Sequence, residues 1–185
     1  MQVVVINGLP GVGKTPLAAR IARELGWPLV TKDMIKEKLF DSLGWSDRAW
    51  SRSLSIASMD MLFLWLKTEA AAGRAVVVEG NFDCERDTQR FVAAVGPPGA
   101  QWVQVLVGCD GAVLVERHRA RAAAGRRHPG HQEAALVGEL TERLAVGWAV
   151  PLALPGALVR VDTTDFGLVD ADAIARAVSG LIDTQ

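Results

Sequence analysis

Apolar residues first gather in a short unbroken run, Val3 to Ile6, closed by Asn7 and Gly8. A continuous β-branched run of this length is the pattern of a strand buried on both faces of a parallel sheet. From Thr15 to Leu25 the period changes: Leu17, Ala18, Ile21, Ala22 and Leu25 recur at helical spacing, and Gly26 with Pro28 supplies a stop. Leu29 to Thr31 reads as a second short strand, after which Asp33 caps a helix running to about Leu43, where Gly44 breaks the pattern. A long helix covers roughly Ala49 to Ala72. Further strands follow at Ala75 to Val78, ending in Glu79 and Gly80, at Val103 to Val107, and at Leu158 to Val161, ending at Asp162. Helices fill the gaps at 86–95, 111–124, 133–147 and 168–182. Strands alternating with helices predict an α/β fold, a doubly wound five-stranded parallel sheet with helices on both faces and ligands at the carboxyl ends of the strands.

Composition adds mainly exclusions. With 185 residues, 50% hydrophobic and 22% charged, the chain is expected to form one domain over residues 1–185. Its net charge of -1 provides no bulk field to recruit nucleic acid or an anionic membrane. The rich stretch Met59 to Leu66 is interrupted by Asp60 and closed by Lys67, so no run approaches the about 18 residues of a membrane span. Cys84 and Cys109 form neither a CxxC pair nor a disulfide framework, and no signal peptide is apparent, which leads to the expectation of a reduced, cytoplasmic protein. Gly125 to Gln132, GRRHPGHQ, is basic and carries glycine and proline between two helices, as a surface loop or lid does. Nothing in the pattern specifies an oligomeric state.

The chemistry concentrates in GLPGVGKT, Gly8, Leu9, Pro10, Gly11, Val12, Gly13, Lys14 and Thr15, a complete GxxxxGK[ST] phosphate loop placed between a buried strand and a helix. In that context backbone N–H groups and the helix dipole meet phosphate oxygens, Lys14 reaches the β- and γ-phosphates, and the Thr15 hydroxyl serves magnesium. Pro16 departs from the usual pattern, since the residue after the loop threonine commonly gives its own N–H to a phosphate and proline has none. Glu79 closes VVVEG as a Walker B carboxylate does, with glutamate in place of aspartate, and is a candidate for magnesium's water shell or the acceptor site. Asn81, Phe82 and Asp83 follow on the same loop, as acceptor-pocket residues or as a plain turn. Arg117, Arg119 and Arg121, with Arg126 and Arg127 beyond, form a basic run in which Arg117 and Arg121 share a helix face, bound to phosphate or simply solvated. His128 and His131 have no third ligand nearby, so a lid or acceptor contact is favoured over zinc. Trp65, Trp102 and Trp148 sit in periodic apolar stretches and read as core, whereas Trp45 and Trp50 flank a polar connection and are candidates for an acceptor-pocket wall.

No NKxD string for guanine is present. Taken in order, the motifs resemble those of the small P-loop kinases, a group that includes polynucleotide kinases, gluconate and shikimate kinases, chloramphenicol phosphotransferase and zeta toxins. Most similar are the "predicted kinase" AAA-type ATP-binding proteins, with a TKD…LF segment after the second strand, an EGNF-like third strand and an RHPGH lid, here within residues 117–132. The resemblance implies ATP and Mg2+ as cofactors and a small-molecule acceptor. It makes Asp33 the general base beside the acceptor hydroxyl, with helix capping as its alternative. Lys36, one helical turn on, faces the same side and is a candidate contact to an anionic group of the acceptor, with a solvated lysine in the run Lys36, Glu37, Lys38 as the alternative. Arg121 goes to the phosphates and Arg117 to the adenine side. Asp162 and Thr163, ahead of Thr164, lie where similar kinases pass a loop beside the adenine. Arg127 and His128 join the acceptor side with Trp45, Trp50, Glu79 and Asn81. The expected activity is magnesium-dependent phosphoryl transfer from ATP to a hydroxyl of a small molecule, an antibiotic or other natural product by analogy with chloramphenicol phosphotransferase. The alternatives are a nucleotide-binding regulatory ATPase, and a nucleic-acid 5′-hydroxyl kinase, to which the Asp33 and Lys36 spacing is similar.

Pro16→Ser restores a donor to the phosphate loop. A hydrogen bond to a charged group is worth about 1.5 to 3 kcal/mol, so ADP is expected to bind about tenfold or more tightly in calorimetric titration. Unchanged or weaker affinity would remove the missing-donor argument.

Overall fold

Five strands line up side by side, all parallel, in the order β2-β3-β1-β4-β5. They are β1 (Gln2–Asn7), β2 (Leu29–Thr31), β3 (Val76–Gly80), β4 (Gln101–Gly108) and β5 (Ala157–Asp162). The computed structural model describes residues 1–125 and 127–183, so Arg126 lies outside the described residues. Among the described residues seven helices accompany the strands: α1 (Lys14–Leu25), α2 (Lys32–Leu43), α3 (Arg48–Ala71), α4 (Cys84–Val95), α5 (Gly111–Ala124), α6 (Glu133–Ala145) and, after the last strand, α7 (Ala171–Asp183).

Because successive strand residues point to opposite faces, β1 and β3 split their apolar side chains between two cores. Val4, Ile6 and Val77 pack beneath Leu17, Ala18 and Ile21 of α1 and Ala175 and Val178 of α7. Val3, Val5, Val76 and Val78 pack with Leu62, Phe63 and Leu66 of α3 and Phe91 of α4. The second core is closed by aromatic edges, with ring centroids 4.9 Å apart for Phe63–Phe91 and for Phe82–Phe91, and 6.0 Å for Phe91–Trp102. Of the other tryptophans read as core, Trp65 and Trp148 are half-buried, Trp148 lying against Gly108. Among the described residues no helix is long and apolar enough to cross a membrane. Cys84 and Cys109 are both free.

Two of the differences from the sequence reading have identifiable causes. The cap of α2 is Thr31, whose extended backbone lets its side chain accept from Met34 N at 3.0 Å. Asp33 therefore sits within the first turn, its carboxylate released from capping. Helix α7 begins at Ala171, because Phe166–Leu168 form a separate 3-10 turn capped by Asp165 and the Asp170 carboxylate then accepts from the N–H groups of Asp172 and Ala173.

The register places Ile6 beside Glu79, Thr31 beside Glu79 and Gly108 beside Asp162, so the candidate residues gather along the carboxyl edge of the sheet. The connection from β1 runs to β2 on one side of the sheet and the connection from β3 runs to β4 on the other, which makes the edge between β1 and β3 the topological switch point. Asn7, fully buried, pins that edge. Its Oδ1 accepts from Gly8 N at 2.8 Å and Phe82 N at 2.9 Å, and its Nδ2 donates to the Phe82 carbonyl at 3.2 Å.

Asn7→Ala leaves these three groups without partners in a buried site. At about 1–3 kcal/mol for each unsatisfied group the variant should lose on the order of 3 kcal/mol. For a chain of this size that is a fall in Tm of about 6–12 °C, measured by calorimetry. A change of under a degree would mean that the pin contributes nothing.

Candidate functional site

The phosphate loop crosses from β1 to α1 over the switch point. Gly11 and Gly13 carry φ of 92° and 87°, the left-handed region that suits glycine and gives a loop the concave run of N–H groups that binds anions. Leu9 and Val12 are buried and anchor the underside of the loop. The buried Thr163 hydroxyl lies within hydrogen-bonding distance of two carbonyls, Val12 at 2.8 Å and Gly108 at 3.0 Å, and so joins the loop to the end of β4.

Above the loop opens a cavity of about 700 Å3, onto which Pro10, Lys14, Thr15, Asp33, Arg121 and Arg127 all face. The Lys14 ammonium is buried there and donates to the Leu9 carbonyl at 2.9 Å and to Asn81 Oδ1 at 2.6 Å, with Glu79 Oε1 4.0 Å away. Burial pushes its pKa down to about 8, although Glu79 and Asp33 pull the other way. Burial likewise raises the Glu79 carboxyl above its ordinary range, against the pull of Lys14 and of Thr15, whose hydroxyl donates to Glu79 Oε2 at 2.9 Å. A buried ammonium facing an open cavity with two guanidinium groups fits a polyphosphate. The Thr15 hydroxyl in contact with the Glu79 carboxylate is a hard oxygen pair of the type that suits Mg2+.

Across the cavity, Arg127 is the hub of the lid segment. Its guanidinium pairs with Asp33, reaches Glu133 Oε1 at 3.1 Å and approaches Glu37 at 3.9 Å. Arg121 meets the same Glu133 oxygen at 2.5 Å and lies beside Gly11 of the loop. Partial burial alone would raise the Asp33 pKa, but the Arg127 guanidinium, with Lys32 behind it, holds the carboxyl below its ordinary range. Burial and Arg127 push His131 down to about 3, so its neutral ring donates from Nε2 to Glu37 at 2.9 Å. His128 stacks on Phe40 at 5.0 Å, accepts at Nδ1 from Gly130 N, and meets the edge of Trp45. Ser51 donates to the Gly130 carbonyl at 2.8 Å and accepts from Lys36 at 3.2 Å. These contacts fasten the turn at 129–131 to α2 and α3.

On the far side of the loop, Arg117 lies 3.9 Å over the Phe166 ring and donates to the Thr164 carbonyl at 2.8 Å. The Phe166 ring rests against Gly13 closely enough that a Cβ there would come within 2.6 Å. Asp162 is exposed and accepts from Thr164 N at 2.7 Å.

The structure thus brings Lys14, Thr15, Asp33, Glu79, Asn81, Arg121 and Arg127 around one cavity. Lys36 is buried over Phe40 and borders only a narrower neighbouring space. Trp45 and Trp50 are exposed, the Trp50 indole donating to the Gly44 carbonyl, and they line neither of these two spaces. Three residues of consequence escaped the sequence reading: Asn7, Glu133 and Phe166. Only Phe166, a lone aromatic in the polar DTTDFG turn, carried a local signal.

The family model of the AAA domain family AAA_33 matches residues 3–144. No curated protein matches the chain in sequence. A solved structure titled a "putative kinase", from Chloroflexus aurantiacus J-10-fl, is 36% identical, with 97% of each chain covered and a TM-score of 0.86. A sugar kinase from Janibacter sp. HTCC2649 shares the fold at 16% identity, with 99% of this chain and 95% of that one covered and a TM-score of 0.60. A gluconokinase from Sinorhizobium meliloti 1021 shares it at 19% identity, with 99% and 93% covered and a TM-score of 0.51. With a phosphate loop at the switch point of a parallel sheet and a family match over most of its length, this chain belongs to the AAA domain family AAA_33 and has the architecture of the small P-loop kinases.

Proposed function

We propose that the chain is an ATP- and magnesium-dependent phosphotransferase acting on a hydroxyl of a small molecule. The observation that carries this reading is the meeting, in one cavity, of the phosphate loop with a carboxylate, Asp33, that no helix end requires. A nucleotide switch needs no such group beside its phosphates. The structure at 36% identity, described as that of a "putative kinase", supports the same class of reaction.

In this reading the loop backbone and Lys14 hold the β- and γ-phosphates, and Arg121 meets the negative charge that grows on the transferring group. Arg117 and Phe166 border the adenine, with Thr163 holding the loop in place and Asp162 shaping its edge. Thr15 and Glu79 hold Mg2+ and its water, which when bound neutralises phosphate charge. Asp33, ionised throughout the neutral range, orients the acceptor hydroxyl and takes its proton, once Arg127 has shifted its contacts toward the incoming phosphate. Asn81 completes the acceptor wall, and residues 117–132 serve as the lid, with His128 stacked on Phe40 to hold it. An antibiotic or other natural product as acceptor, and work in the cytoplasm, belong to the same reading; they rest on the resemblance to chloramphenicol phosphotransferase and on the two free thiols.

Two measurements test this reading. Phosphates favour the ammonium form of Lys14, so they raise a pKa that burial holds at about 8. Nucleotide binding at pH 8.5 should then take up a fraction of a proton, seen as a dependence of calorimetric heat on buffer ionisation, and affinity should fall as pH rises through 8. The uptake should vanish in Lys14→Met; equal uptake in both proteins would place the titrating group elsewhere.

The second is ATP consumption over a panel of hydroxylated metabolites and antibiotics, with Asp33→Asn as the comparison. This variant should keep its Tm within a few degrees and its ADP affinity within about twofold, while transfer falls about a hundredfold or more. Normal transfer by Asp33→Asn would remove the proposed base.

A further inference from the structure

A second cavity, of about 680 Å3, lies beyond Asn81 and Pro10, which wall both it and the phosphate-loop cavity. Its charged lining is one-sided: Lys32, Arg52, Arg86, Arg90 and Arg143 face it, with Asp83 as the one carboxylate. These cations come from α2, α3, α4 and α6, so the accumulation is made by the tertiary fold and not by a basic stretch of chain.

The five are not equivalent. Arg86 is clamped by the fully buried Asp87, its Nη2 2.8 Å from Oδ2, and Arg90 reaches Asp60 at 2.6 Å while lying 4.2 Å over the Phe63 ring. These two are held in place and partly neutralised. Arg52 and Arg143 have no hydrogen bond or ion pair among the described residues. Lys32 donates to a neutral partner, Ser55 Oγ, at 2.5 Å. Three cations in a concave wall therefore lack a carboxylate in contact, an arrangement that repels itself until an anion enters.

A narrower space of about 190 Å3 leads from this cavity toward the chemistry. Lys32, Ser55 and Arg143 line both this space and the second cavity, and Asp33, Arg121 and Arg127 line both this space and the phosphate-loop cavity. His118 on α5 also borders it, buried and with neither ring nitrogen hydrogen-bonded among the described residues. A buried imidazole without a partner lacks a polar group that an occupant of this space would supply.

We infer that Arg52, Arg143 and Lys32 form an anion subsite, and that the acceptor is a hydroxylated acid whose carboxylate or phosphate monoester sits there while its hydroxyl reaches Asp33. The word acceptor rests on the phosphotransferase reading; the anion subsite stands on its own residues. Bidentate guanidinium groups suit either anion, and a cavity of this volume suits a small metabolite.

The test uses the full chain loaded with magnesium and a non-hydrolysable ATP analogue, so that the phosphate loop is filled, and titrates it calorimetrically with inorganic phosphate and, separately, with malonate. Saturable binding of at least one is expected, weakened about tenfold or more in Arg52→Gln and in Arg143→Gln and unchanged in Arg176→Gln, an exposed arginine of α7. The preferred anion distinguishes a phosphorylated acceptor from a carboxylic one. Both arginines are exposed, so the variants should fold, with circular dichroism as the check. Failure of both anions to saturate, or wild-type affinity in both glutamine variants, overturns the subsite. Should the analogue itself fail to bind, the phosphotransferase reading falls, and the same titrations on Lys14→Ala, its phosphate loop disarmed, still decide the subsite.

Discussion

A buried ammonium that faces a cavity governs the organisation of this molecule. Lys14 is 6% exposed, yet its contacts are two neutral oxygens and a carboxylate 4.0 Å away. Burying a charge costs several kcal/mol unless it is paired and hydrogen-bonded, and here the pairing is incomplete, as the depression of the Lys14 pKa shows. The surroundings that tolerate this are all positioned by the sheet: Glu79 ends β3, Asn81 follows it, and the Leu9 carbonyl belongs to the loop after β1. A site that leaves a cation short of negative charge is prepared for an anion before one arrives.

That preparation depends on fixing a glycine-rich loop that has little rigidity of its own. Two buried polar side chains tie it down: Asn7 to the loop after β3, and Thr163 to the end of β4. Each connects the phosphate loop to a neighbouring strand, one on either side of β1. The loop geometry is therefore a property of three strands together, and the residues that maintain it never face the cavity.

Charge on the opposite wall follows a different logic. Arg121 and Arg127 converge on one oxygen of Glu133 at the start of α6, and Arg127 also takes Asp33. These pairs keep two guanidinium groups close to the phosphate loop while sparing them full mutual repulsion. Because they are exchangeable contacts between side chains and not packed apolar surface, they can re-form around an incoming phosphate at modest cost. Beyond them the cations without carboxylate contacts, Arg52, Arg143 and Lys32, continue the positive wall away from the nucleotide side. The molecule thus carries its net charge of -1 unevenly, with the anion-seeking groups concentrated in its concavities.

Much of the architecture was legible in the chain. Continuous β-branched runs marked β1 and β3 because strands covered on both faces have no polar side to display, and the GLPGVGKT string located the phosphate loop because its backbone conformation demands glycine at fixed spacing. The carboxylates Asp33 and Glu79 were found for a related reason: parallel strands deliver whatever follows them to one edge. Local pattern failed where the decisive partner is distant in sequence. Thr31 took the cap assigned to Asp33, a matter of backbone geometry at one residue. Asn7 binds Phe82, 75 residues on, Arg127 pairs with Asp33 across 94, and Phe166 reaches Gly13 only because β5 lies beside β4. Lys36, Trp45 and Trp50 lay near the site in sequence, but helix phase turned Lys36 onto the Phe40 ring, and the two tryptophans stay exposed at the surface. The sequence alone determined which strands and which loop would make a nucleotide site, since these follow from period and backbone preference. Which charges meet across that site was decided only by the tertiary structure, because an ion pair depends on distance in space, and a one-dimensional pattern carries no such distance.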